Sequence, residues 1–97
     1  MYDLRYMPAA KKYFKKLKEK RLINAYSKAL SKIASDPYSG DAKTGDLAGV
    51  YCMDVFHDKT NHEIAYRIVE DDEQIVVVIF AGTRENFYAE LKRYISS

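Results

Sequence analysis

The chain has no tryptophan, two prolines, four glycines and one cysteine among its 97 residues. A single thiol, Cys52, cannot close an intramolecular disulfide, so a disulfide-stapled scaffold is excluded and a reducing compartment such as the cytoplasm is expected. Long apolar runs are also missing. The longest, Ile75 to Ala81, has seven residues, against the roughly 20 a membrane helix needs. The opening MYDLRYMPAAKKYFKK has no apolar stretch behind a basic start, so no signal peptide is expected. A soluble protein with no membrane contact follows. There is no phosphate-binding GxxxxGK[ST] loop, no GxGxxG and no GxSxG. Cys52, His57 and His62 are spaced C-x4-H-x4-H, which matches no common zinc pattern. No metal and no cofactor are expected.

What is present suffices for one domain over residues 1–97. The hydrophobic content of 47% can build a core without staples. Net charge is +2 but unevenly spread: residues 1–33 carry a net +8 and residues 34–97 a net −6. A basic half attracts phosphates or an acidic partner, although lysine-rich helices are as often plain solvated faces.

The periodicity reads as follows. Tyr2 to Met7 is a short strand, and Pro8 suits the first turn of a helix. Ala10, Tyr13, Phe14 and Leu17 give a helical stripe to about Glu19, flanked by Lys11, Lys12, Lys15, Lys16 and Lys18. Leu22, Tyr26, Ala29, Leu30 and Ile33 give a second stripe, stopped ahead of Asp36-Pro37. The pair makes a helical hairpin turning near Lys20. Residues 36–49 form a glycine-rich loop of a length that tends to be functional. Val50 to Phe56 and His62 to Val69 are strands joined by a turn, and Glu70 to Glu73 is a second turn. Gln74 to Ala81 reads as a central strand buried on both faces. Gly82-Thr83 breaks it, and Glu85 to Ile95 is a closing helix. The order β-α-α-β-β-β-α implies an α+β fold, an antiparallel sheet of about four strands with the helices on one side.

The polar face of that sheet holds the candidates for chemistry. Alternation sets Cys52, Asp54 and Phe56 on one face of the second strand, and Glu63, Ala65 and Arg67 on one face of the third. Arg84 follows the last strand and Tyr88 begins the helix. His57, Glu63, Arg67, Arg84 and Tyr88 can converge on one surface. Such a set contains a base, cations for a charged phosphorane and an acid, which is what RNA cleavage through the ribose 2′-hydroxyl needs. The plainer alternative is a set of cross-strand ion pairs.

In order and spacing the chain resembles the RelE/ParE superfamily of type II toxin–antitoxin toxins. The resemblance rests on the hairpin with KKYFKKL, on GDLAGVY (45–51), HEIAYRI (62–68), IVVVIFAG (75–82) and TRENFYAELKRYI (83–95). It implies a small curved antiparallel sheet with helices packed on one face and a cognate antitoxin partner. It also implies one of two activities: ribosome-dependent mRNA cleavage, or gyrase inhibition without cleavage as in ParE. A degenerate member that only binds its antitoxin is a third outcome. For cleavage, the resemblance assigns Arg84 to the phosphate charge and Tyr88 to acid or stacking. His57 or Glu63 becomes the base, Arg67 and Lys43 hold phosphate, and Lys11, Lys12, Lys15 and Lys16 face ribosomal RNA. The chain departs from RelE-like enzymes at Cys52 and Asp54, where lysines are usual, and at Glu63, where an arginine is usual. Convergence of Arg67 and Arg84 on one phosphate would favour cleavage; neutralisation by Asp54 and Glu63 would weigh against it. An acidic antitoxin segment is expected to cover the lysine helices.

Overall fold

The structure is a computed structural model that describes residues 1–96. Its first strand, β1, is Asp3–Tyr6. A helical hairpin follows, α1 (Pro8–Lys16) and α2 (Lys20–Ser35). Pro8 occupies the first turn of α1, where its missing N–H costs nothing. The helix ends at Lys16, sooner than the stripe suggested, because Leu17 is already extended and caps back onto Phe14. Its side chain still packs on the core.

The strands are β2 (Asp41–Ala42), β3 (Tyr51–His57), β4 (Thr60–Glu70) and β5 (Gln74–Thr83), and helix α3 is Phe87–Ser96. They form one five-stranded sheet in the order β1-β5-β4-β3-β2. β3, β4 and β5 are the expected antiparallel meander, whereas β1 pairs parallel with β5. The chain leaves that edge through the helical hairpin and enters β2 at the opposite edge, so β5 comes to lie beside β1 only after the rest of the sheet has been laid down. The fifth strand, β2, is two residues long and lies within the glycine-rich loop. That loop is further ordered by two 3-10 turns, Pro37–Ser39 and Gly45–Leu47. Asp58 and Lys59 both take positive φ and make the two-residue turn of the β3–β4 hairpin.

The sheet is covered on both faces, not one. The hairpin packs on the first face, where Ala10, Tyr26 and Ile33 meet Val55, Ile64, Tyr66, Val76 and Val78. Tyr13 and Tyr26 share a hydroxyl–hydroxyl hydrogen bond of 2.9 Å there. On the second face α3 lays Phe87 and Leu91 against Cys52, Ala65 and Ile79. Periodicity shows that α3 has an apolar stripe but not which side of the sheet receives it. β5 is correspondingly not buried on both faces throughout, since Ile75 and Val77 remain half-buried beyond the reach of α3. An extra residue in β5, Ile79, between the pairs Ala65/Phe80 and Tyr66/Val78, makes a β-bulge. It re-aims the end of the strand, and β5 then continues through Gly82-Thr83 instead of breaking there.

One tight contact ties the loop to the sheet. Tyr66, fully buried, donates to the Pro37 carbonyl at 2.7 Å. Gly40 lies directly over that hydroxyl, so a Cβ at this position would collide with Tyr66. Gly40→Ala is expected to destabilise the fold by about 1–3 kcal/mol, read as a lower urea midpoint.

Candidate functional site

The second face is only partly covered by α3, and the functional side chains gather at the edge of that cover. The β-register puts Asp54, Glu63 and Gly82 in one row across β3, β4 and β5. Residues paired across strands share a face, so the row is a consequence of the register and not of any local motif. Arg84 follows β5 in a turn held at both ends: its N–H donates to the Asn61 carbonyl at 2.9 Å, and its carbonyl accepts from Phe87 N–H at 3.1 Å. Asn86 completes the turn with φ 60. Tyr88 is the second residue of α3. Phe87 beside it is buried in the second core, so packing of one residue aims the next.

Glu63 is the centre of the cluster. Its side chain is only 2% exposed. One carboxylate oxygen accepts the Tyr88 hydroxyl at 2.7 Å. The other lies 3.5 Å from Arg84 Nε and has no hydrogen bond. A buried carboxylate without partners is costly, so this arrangement depends on both neighbours. Arg84 itself is 57% exposed and faces solvent as well as Glu63. Lys43, brought in by the ordered loop, places its ammonium 5.0 Å from the centre of the Tyr88 ring. Lys43, Glu63, Arg84 and Tyr88 therefore form one constellation, with Cys52 beneath it.

The environment shifts two of these groups. Burial pushes the Tyr88 phenol far above its ordinary value, helped by the hydrogen bond to Glu63 and by the charges of Cys52 and Glu63, with Arg84 opposing. Burial and Glu63 push the Cys52 thiol up to about 11. Below pH 9 the thiol keeps its proton folded or unfolded, and its contribution to stability is complete. Above that the unfolded chain ionises first, so stability is lost as pH rises toward 11. The urea midpoint is expected to fall between pH 9 and pH 11, and Cys52→Ala is expected to flatten the early part of that fall. The raised phenols of Tyr26, Tyr66 and Tyr88 keep the later part.

Not every expected residue joins. His57 ends β3 on the helical-hairpin face of the sheet and pairs with Glu19 at 2.7 Å. It is removed from the cluster by the strand's alternation. Arg67 lies four residues along β4 from Glu63, a separation of about 13 Å, and its guanidinium packs by Gly49. Arg67 and Arg84 thus do not converge on one phosphate, and Glu63 partly neutralises Arg84. His62 is buried against Tyr26 in the first core, on the face of the sheet opposite Cys52. Among the described residues no group of His, Cys, Asp or Glu could hold a metal ion. Lys11, Lys12, Lys15 and Lys16 are exposed along α1. Lys12 and Lys16 also line a hollow that runs to Gly82 and Thr83, so the lysine face reaches the junction ahead of the site. The contact of Lys43 with Tyr88 had no signal in sequence; a loop lysine and a helix tyrosine 45 residues apart are joined only by the fold.

Residues 4–92 match the family model described as ParE-like toxin of type II bacterial toxin-antitoxin system, and the chain belongs to that family. Solved structures share its fold. One is a double arginine-to-alanine mutant of Escherichia coli toxin RelE in the free state (TM-score 0.73, 22% identity, 97% of each chain covered). Another is the intact E. coli RelBE toxin–antitoxin complex (TM-score 0.65, 20% identity, 84% of this chain and 95% of that one). A third is the RelBE2 toxin–antitoxin complex of Mycobacterium tuberculosis (TM-score 0.66, 25% identity, 86% and 98% covered). No curated protein sequence matches the chain significantly. Among the described residues no helix is long and apolar enough to cross a membrane.

Proposed function

We propose that this toxin cleaves mRNA on the ribosome through the Lys43, Glu63, Arg84 and Tyr88 cluster. The observation that carries the reading is the Tyr88 hydroxyl held on the buried Glu63 carboxylate between two cationic side chains. The 2′ oxygen of a ribose attacks the adjacent phosphorus, and the bond to the 5′ oxygen breaks. The products are a 2′,3′-cyclic phosphate and a 5′-hydroxyl. Tyr88 takes the 2′ proton as it passes its own to Glu63, so no free phenolate has to form. Arg84 stabilises the phosphorane charge, and Lys43 donates to the leaving oxygen. The lysines of α1 hold ribosomal RNA, and the grip weakens with salt. A cognate antitoxin, as in the RelBE complexes, is the protein partner, with an acidic segment on the lysine helices. Crosslinks that place it away from both helices would refute that placement.

A second reading has its own observation. Glu63 stands against Arg84, and Arg67 is absent from the cluster, so the phosphate clamp is reduced to Arg84 and Lys43. A toxin of that kind acts by binding alone, on gyrase. Inducible expression of wild type and Arg84→Ala separates the two. New mRNA 5′ ends that vanish in the variant are expected. Growth arrest with intact mRNA and broken DNA would replace cleavage with gyrase poisoning.

A further inference from the structure

β5 outlasts the strand beside it. β1 pairs with residues 75–78 only, and the pairing closes where Met7 N–H donates to the Val78 carbonyl at 2.9 Å. Beyond that point no strand lies outside β5 among the described residues, although β5 runs on to Thr83. Arg84 N–H is turned inward to Asn61 on β4, so alternation turns the N–H groups of Ala81 and Thr83 outward. They face a hollow of about 430 Å³ between α1 and α3. Tyr13 and Phe80 give it aromatic walls, Lys12 and Lys16 stand on its α1 side, and Glu90 stands on its α3 side. The two lysines are neighbours on one helix face, both exposed, and neither forms an ion pair among the described residues. Lys11 and Lys15 turn to the other flank of α1, beside Tyr6 and Phe14. Lysine next to an open strand edge also discourages stray pairing. Edge protection does not require the hollow to open at Thr83, the residue before Arg84.

We infer that this hollow is a phosphate subsite for the nucleotide next to the cleaved bond, with Lys12 and Lys16 as its cations. The inference rests on the cleavage reading above and reassigns two of the α1 lysines from ribosomal RNA to the message. A phosphodiester needs hydrogen-bond donors and positive charge, and the hollow supplies both. The two ammonium groups carry the charge, and the outward N–H groups of Ala81 and Thr83 are fixed donors that lose no order on binding. The volume lies within the range of small-ligand sites and takes a phosphate with its ribose, the sugar lying on Tyr13 and Phe80. Glu90 repels an anion from the α3 wall and so favours the α1 wall, where the lysines are. A protein strand could use the same open edge, but two unpaired lysines leading to the exposed Arg84 favour a polyanion. Contacts to phosphate position a strand without reading its sequence. Holding the neighbouring phosphate here fixes the message on both sides of the reacting ribose. That keeps the 2′ oxygen in line with the bond that breaks.

The test uses the full-length toxin and ribosomes programmed with a native message or with messages carrying one neutral methylphosphonate, at the linkage 5′ or 3′ of the cleaved bond. For wild type, one of the two neutral linkages is expected to raise KM about tenfold. The double variant Lys12→Ala, Lys16→Ala is expected to raise KM about tenfold on the native message and to show no further rise on that same neutral linkage. Loss of the phosphate and loss of the lysines then count once. Both lysines are exposed, so thermal unfolding of the variant should match wild type. Effects that multiply on both messages would leave the lysines on ribosomal RNA and overturn the subsite while the cleavage reading stands. Wild type indifferent to both neutral linkages overturns it as well. So does a variant that cleaves every message like wild type, and weaker antitoxin binding by that variant would make the hollow a protein-docking edge. Wild type that cleaves no message overturns the cleavage reading and the subsite with it.

Discussion

Replacing Arg84 with alanine is expected to lower the rate of mRNA cleavage by about 10²–10³-fold. The size follows from position. Arg84 is the cation of the cluster that is both exposed to substrate and anchored through its backbone at both ends of its turn. Charge that develops on a phosphorane is stabilised most by donors that need not reorganise. Arg84→Lys should recover only part of the loss, because an ammonium lacks the planar fork that meets two phosphate oxygens. Some stability should be lost with the charge, because the buried Glu63 carboxylate then keeps only its Tyr88 partner, so the rate is compared per folded molecule. Single-turnover cleavage on programmed ribosomes measures the effect. A rate within threefold of wild type would remove Arg84 from the chemistry and leave the binding-only reading.

Phe87→Ala should have the largest effect on the fold, about 3–5 kcal/mol. Phe87 is 1% exposed and is the first residue of α3. Its ring meets Phe80 at 5.5 Å and Tyr88 at 5.4 Å between centroids. A domain of this size has only about 5–15 kcal/mol in total. The melting temperature should drop by more than about 12 °C. Activity should fall further than the unfolded fraction explains, because Tyr88 takes its aim from the same helix turn. Phe87→Leu fills most of the space and should retain both. A melting temperature unchanged in Phe87→Ala would mean that α3 is not docked through this residue.

The elements were legible where the chain's own periodicity decides them. The stripes of α1, α2 and α3 and the β3–β4–β5 meander follow from apolar spacing and turn residues. What escaped was anything that depends on a partner far along the chain. The parallel pairing of β1 with β5, the two-residue strand β2 and the burial of α3 on the opposite face all have that character. The loop of residues 36–49 read as irregular because its order comes from contacts with Tyr66, Tyr51 and Val50 on the sheet.

The site divides the same way. Sequence alone identified Arg84 and Tyr88 as neighbours at a strand-to-helix junction, because that junction is local. It could not distinguish Glu63 from His57 as the carboxylate or imidazole beside them. Strand alternation sends His57 to the other face, and the register carries Glu63 under Tyr88. Nor could it separate Arg67 from Arg84, which share a face of the sheet but lie several pairs apart. Local chemistry and period are written residue by residue and survive without the fold. Which charges meet, and which are buried, is set by strand register and helix docking, and only the tertiary structure supplies those.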